Sequence, residues 1–527
     1  MKKILLKLCC IAFAVAFSVV AFAGCGGIQR QKKAESLEGV IDIELFDGGY
    51  KTAWLDDIIK AYKKINPKAS VIVTPTVNTP SSAALISAER SSMDIVMVNA
   101  NHFTSALEGK LYDLSENYEY TPPGESKKVS EKISPNLLEF YNQDGKYYHL
   151  PWANAVVSLV YNETAMDEAL GKGAWSLPRT TDELLELSKR LKSAGVYAFT
   201  FSVNNGQNYM DTYLVPAWMA QYMGVEEFRK HSAGYYRNAE GNYEFATVGK
   251  QDQLLENVGK LKAMEVLYNL IRKSNGYAHQ FAGDMNFMQM QQTFCGWGYG
   301  SDKKAVAMTA GGDWLESEVA FMLEDRPQTI KMMKVPVISS IVERLEDKTM
   351  SDETLCAVID YVDGKTTAAP ANVSEKDIAR IREARSSYTS LSFIHTAVIP
   401  QTSQNKTLAV DFLKFMVSDQ AQMIFSQALN GVTMPYGFDP KNKPTIKMSE
   451  FQQSVVENFV VENANPITYA DASSKLNLFG AFTPYHDCSR EFFFETDTPK
   501  GQYDYWNQYY SERWSDILRI SGLAQNN

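Results

Sequence analysis

The chain has 527 residues, 45% of them hydrophobic, which exceeds the needs of one ordinary core and predicts more than one lobe. Its net charge is −10, and the first 24 residues hold three lysines and no acid, so the body beyond them carries −13. That balance excludes a nucleic-acid or anionic-membrane binder that works by charge. Aromatic residues make up 12% of the chain, enough for a large core or for stacking on an uncharged ring-shaped ligand, and composition does not separate the two.

Lys2, Lys3 and Lys7 open the chain, an apolar run fills residues 8–23, and Gly24-Cys25 follow. Basic, apolar, then small is the order of a secretory signal peptide, and the run is shorter than the ~20 apolar residues of a membrane span. Phe22-Ala23-Gly24-Cys25 resembles a bacterial lipoprotein signal, with Phe22 in place of the usual Leu. The resemblance implies removal of residues 1–24, acylation of Cys25, and a polar tether over 25–37. No later stretch is long and apolar enough to span a bilayer.

Ile41, Ile43 and Leu45 alternate with acids as a strand does, and Asp47-Gly48-Gly49-Tyr50 break the pattern. Trp54, Leu55, Ile58, Ile59, Tyr62 and Ile65 recur at helical spacing up to Asn66-Pro67, and Val71-Ile72-Val73 read as the next strand. This strand–helix–strand order predicts a parallel sheet. Ile95–Val98 form another strand ending in Asn99, Asn101 and His102. Residues 47–51 and 99–103 follow the carboxyl ends of strands, where open α/β sheets place ligands. Thr180 with Glu183 fits a capping box opening a helix that Gly195 ends. Phe199–Phe201 and Lys334–Val337 read as strands, Lys304–Trp314 as a short helix, and 339–390 as a charged region with helical patches.

Cys9 and Cys10 leave with the leader, so Cys295, Cys356 and Cys488 remain beside Cys25. No pair has CxxC spacing; one disulfide or three separate thiols both fit. GxSxG, HExxH and Walker motifs are absent, and the glycines of Cys295–Gly300 have the wrong spacing for a dinucleotide. The six histidines are scattered, so neither metal nor cofactor is expected.

Several motifs in order resemble the extracellular solute-binding proteins of family 1, the sugar receptors of ABC importers and distant relatives of the maltose-binding protein. They are Gly48-Gly49-Tyr50 with the helix ending at Asn66-Pro67, Asp94–Val98 with Gly109–Leu114, and Asp144-Gly145-Lys146 through Leu150-Pro151-Trp152 to Tyr161-Asn162. Trp175 with Thr181–Leu184, Lys304–Met308 with Gly312-Asp313-Trp314, and Ala397–Pro400 with Asn405-Lys406, Ala409–Phe415, Ser418-Asp419 and Gly431 complete the set. The resemblance implies an α/β, two-lobed periplasmic-binding-protein type II fold, with a hinge and an interlobe ligand cleft. It assigns 38–155 and 337–425 to lobe 1, the latter with the charged insertion 339–390. It assigns 156–336 and 426–527 to lobe 2, with a first crossing near 151–156.

A sugar presents apolar ring faces and polar edges, so a cleft needs flat aromatics with amides, acids or imidazoles. By position the resemblance points to Tyr50, Asn99, Asn101 and His102 in lobe 1, Trp152 and Asn154 at the crossing, Asp211, Trp218 and Trp314 in lobe 2, and His395 at the return to the hinge. It implies a monomer on the outer face of the cell membrane, held by lipid alone. Such a chain would carry a carbohydrate to separate permease subunits and, through them, an ATPase. A surface glycoside hydrolase, or the same fold holding a peptide or polyamine, stays open on the residues alone.

Overall fold

The computed structural model describes residues 37–77, 81–97, 107–203, 208–460, 464–467, 476, 478 and 488–523. The leader, Cys25, Asn99, Asn101 and His102 lie outside these residues.

Two sheets organise the chain. The first is parallel, in the order Ala69–Thr76, Gly39–Phe46, Ile95–Met97. Its central strand turns Ile41, Ile43 and Leu45 into the core, as their alternation predicts. Helix Ala53–Ile65 lays Trp54, Leu55, Ile58 and Tyr62 against it. Helices Lys406–Met416 and Asp419–Ala428 close over the same side: the Tyr62 hydroxyl donates to Asp411 at 2.7 Å, and the Trp54 and Phe425 rings meet edge-on at 4.9 Å. Along the outer strand, Val96 and Val398 exchange backbone hydrogen bonds of 2.9 and 3.0 Å.

The second sheet is mixed. Its path runs Asn465–Ile467, Ser387–Ser390, Val156–Asn162, Val306–Gly312, Tyr197–Phe199, and Ile330–Met333 pairs with Val156–Asn162 beside it. Every residue of Val156–Asn162 and of Val306–Gly312 is buried. The helix expected over 304–314 is therefore corrected to a central strand. A short run apolar on both faces carries no period, and neighbouring strands decide its state. Helix Thr181–Ser193 begins as predicted, with the Thr180 hydroxyl accepting from the Glu183 amide.

Three segments cross between the sheets. Leu150–Pro151 pairs antiparallel with Thr396–Ala397, the Trp152 amide donates to the His395 carbonyl at 2.9 Å, and the Asn154 amide donates to the Thr433 carbonyl at 3.0 Å. The second crossing lies at 391–397 rather than near Val337. Val337 still exchanges backbone bonds with Arg179 and Thr181. The charged region 339–390 forms helices Asp352–Val362 and Glu375–Ser386, tied to the second sheet's side by Arg179–Asp360 and by Arg380 on the Gln221 carbonyl, and ends in strand Ser387–Ser390 of that sheet. Charge alone does not say which lobe a helix pair leans on.

Cys295, Cys356 and Cys488 are three separate buried thiols. Among the described residues no helix is long and apolar enough to cross a membrane.

Candidate functional site

The two sheets aim strand ends at each other. Gly39–Phe46 ends in the loop 47–52, and Val306–Gly312 ends in Asp313-Trp314 before helix Leu315–Asp325. The loops meet: the Tyr50 hydroxyl donates to Asp313 Oδ1 at 2.5 Å, and Gly49 lies so close to Trp314 that a Cβ there would overlap the indole. Glycine is needed at 49 because this backbone touches a ring of the opposite lobe.

The crossing segments add the remaining rings. Tyr50 lies 5.5 Å from Trp152, 5.8 Å from Trp314 and 5.3 Å from His395, each edge-on. His395 is 5.1 Å from Trp152 and 5.8 Å from Trp314. Tyr213 reaches Trp314 at 6.5 Å and stacks on Tyr209 at 4.8 Å. These spacings suit aromatic pairs, and the array spans both lobes and the hinge. Trp152 is fixed from behind by stacking on Trp54 at 5.4 Å and is 1% exposed, whereas Trp314 is only half-buried and retains free ring surface.

Carboxylates sit among these rings. Burial raises the Asp313 carboxyl to about 7, against which the Tyr50 hydroxyl bond works. Burial likewise raises Glu318 to about 7, with the Gln291 amide donating to it at 2.6 Å and Lys51 opposing the shift by its charge. Burial, then the Asp313 charge, raises the Tyr50 hydroxyl, so it stays the donor. His395 is lowered to about 4 by burial and is neutral at pH 7; its Nδ1 lies 3.1 Å from the Leu391 carbonyl, which makes Nδ1 the protonated nitrogen.

A consequence can be measured. The folded Asp313 pKa of about 7 lies above its ordinary 3.8. The native state therefore binds the extra proton, and this group's contribution is fully present below about pH 4 and is lost as pH rises to about 7. Urea unfolding across that range should show wild type losing stability relative to Asp313→Asn; parallel curves would refute it. Taking the difference between the two proteins removes the opposite trend of buried His395.

Of the residues expected to touch ligand, Tyr50, Trp152, Trp314 and His395 come together. Asn154 stays at the crossing, where its amide donates to Thr433 Oγ1 at 2.6 Å, and it lines a separate cavity of about 600 Å³ with Lys132, Tyr388 and Phe438. Trp218 is corrected to core: it lies on helix Val215–Met223, is 0% exposed, and its Nε1 donates to the Pro336 carbonyl at 3.2 Å. Asp211 is corrected to an internal tie, accepting from the Cys488 amide at 3.0 Å and lying 3.2 Å from its thiol. Asp313, Glu318, Tyr209 and Tyr213 were not singled out by sequence. Asp313 carried a signal as the residue between Gly312 and Trp314, and Tyr209 and Tyr213 as members of the aromatic stretch 209–223.

Comparison with known proteins follows the same lines. Solved structures with this architecture include RafE in complex with raffinose (TM-score 0.56, 15% identical, covering 90% of this chain and 99% of that one). The GacH receptor of Streptomyces glaucescens gives 0.54 and 15%, covering 93% and 100%, and a chitin oligosaccharide binding protein gives 0.56 and 14%, covering 90% and 98%. At such identity the likeness establishes the two-lobed fold. No curated protein sequence matches the chain. Residues 57–451 match the family described as bacterial extracellular solute-binding protein. These are binding proteins rather than enzymes and work outside the cytoplasm, and the chain belongs to this family.

Proposed function

We propose that the chain is the substrate-binding subunit of an ABC importer that captures a carbohydrate between its lobes, closes over it, and delivers it to a separate permease and ATPase. The observation carrying this reading is the ring array of Tyr50, Trp152, Trp314 and His395 where both sheets and the hinge converge. Rings exclude water from the apolar faces of a sugar, while the neighbouring carboxylates and imidazole accept from its hydroxyls. Structural likeness to RafE, solved in complex with raffinose, and to GacH, solved in complex with acarbose, supports the carbohydrate class. The leader and Cys25 support a chain held on the outer face of the membrane by lipid alone, with 25–37 as its leash, and we take it to work there as a monomer. Of the site residues, we assign Trp314 and Tyr50 to stacking and hydrogen bonding, with Trp152 and His395 as the floor. Asn99, Asn101 and His102 remain proposed contacts from the first lobe.

A thermal-shift screen of the purified protein against mono- and oligosaccharides, peptides and polyamines tests this. A ligand at about 100 times its Kd adds about 2.7 kcal/mol, a visible rise in Tm. One saccharide class should produce it. A rise with peptides alone would remove the carbohydrate, and glycan cleavage in the same wells would remove the receptor.

A further inference from the structure

Beside the ring array lies a cavity of about 390 Å³, lined among others by Tyr50, Asp313, Trp314, Glu316, Glu324 and Gln452. Its polar lining is lopsided. Among the described residues, three carboxylates line it and no lysine or arginine does. Asp313 is 1% exposed and accepts from the Tyr50 hydroxyl on Oδ1, with the backbone N–H groups of Val156 and Asp313 also favouring its charged form; no ion pair reaches it or Glu316 among the described residues. Glu316 accepts from the Ser449 hydroxyl at 2.6 Å, and burial raises its pKa.

Gln452 gives an independent sign. Its Nε2 donates to the Asp313 carbonyl at 2.6 Å. A carbonyl only accepts, so this bond fixes which end of the amide is which. Oε1 is then a buried acceptor without a partner, on a side chain 2% exposed. An unpaired buried acceptor beside desolvated carboxylates is unfavourable in the empty site and is relieved by a donor that brings positive charge.

We propose that this cavity receives a protonated nitrogen of the ligand, so that the captured solute is an amine-bearing saccharide rather than a neutral one. The inference rests on the carbohydrate reading of the adjoining cleft. An alkylammonium has three donors for the Asp313, Glu316 and Gln452 acceptors, and the Trp314 and Tyr50 rings border the same space and favour a cation over their faces. A metal ion fits less well, since no group of three or more metal-ligating side chains converges among the described residues. Glu324 stands exposed at the rim, where it draws cations inward.

Isothermal titration of the purified protein with four probes decides it: chitosan oligosaccharides with free amines, chitin oligosaccharides of equal length with acetylated ones, raffinose, and spermidine. The amine form should bind at least tenfold tighter than its acetylated partner, and Glu316→Gln should erase most of that preference. Glu324→Gln, an exposed change that leaves folding alone, should lower it severalfold. Equal affinity for the matched pair, or better binding of the acetylated form, overturns the inference. Binding of raffinose with no amine preference overturns it while leaving the carbohydrate reading intact. Binding of spermidine alone keeps the ammonium site and removes the saccharide. No heat with any probe overturns both.

Discussion

Replacing Trp218 by alanine should lower the stability of the protein by about 3–5 kcal/mol, the range for a large buried aromatic, and leave ligand affinity within about twofold. Trp218 sits on a helix whose nine residues are all buried, and its indole N–H is satisfied by a backbone carbonyl. Truncation removes the ring's packing and leaves the Pro336 carbonyl without its donor, two losses that add. Urea unfolding gives the first quantity and titration calorimetry the second. A stable variant with weakened binding would return Trp218 to the cleft.

Trp314→Ala should show the reverse pattern. Its ring is half-buried, rests on Gly49 of the opposite lobe, and borders the cavity at the interlobe junction. Losing it should weaken binding by about 1–3 kcal/mol, roughly 5- to 150-fold, as the apolar contact and the ring geometry are both removed. The change in Tm of the ligand-free protein should be small beside that of Trp218→Ala, because part of the ring already faces solvent. Unchanged affinity by calorimetry would sink the assignment of this ring to the ligand. Read together, the two variants separate a tryptophan of the core from one of the site.

That the same residue type plays both parts marks the limit of reading the chain alone. The first sheet was legible because Ile41, Ile43 and Leu45 on one face of Gly39–Phe46 alternate with acids on the other, so the apolar face declares itself. The strand Val306–Gly312 was not, since both its faces are buried and its apolar run has no alternation to reveal it. The hinge was half legible: Trp152 lies where the pattern placed the first crossing, but the second was set too early, since the pairing of Ser387–Ser390 with Val156–Asn162 and the ties of Asp360 to Arg179 and of Arg380 to the Gln221 carbonyl, which keep 339–390 with the second sheet, exist only in the fold. In the site, Tyr50 was nameable from its place after a strand, and Trp314 and His395 only from their positions in the family resemblance. Their meeting, and the bond from Tyr50 to Asp313, join residues hundreds of positions apart and exist only through the fold. Asp211 looked like a cleft acid until its partner, Cys488, arrived from the far end of the chain.

The pairing of Val96 with Val398 also bears on how the protein is made. About 300 residues separate the two, and at synthesis rates of roughly 5–20 residues per second the second emerges some 15–60 s after the first. Throughout that interval the outer strand Ile95–Met97 has no neighbour on its free side, and helices Lys406–Met416 and Asp419–Ala428 do not yet exist to cover the sheet. A bare strand edge beside uncovered apolar side chains invites pairing with another chain. The first lobe is thus begun first and finished late, and a nascent or exported chain needs escort until its residues near 428 have arrived.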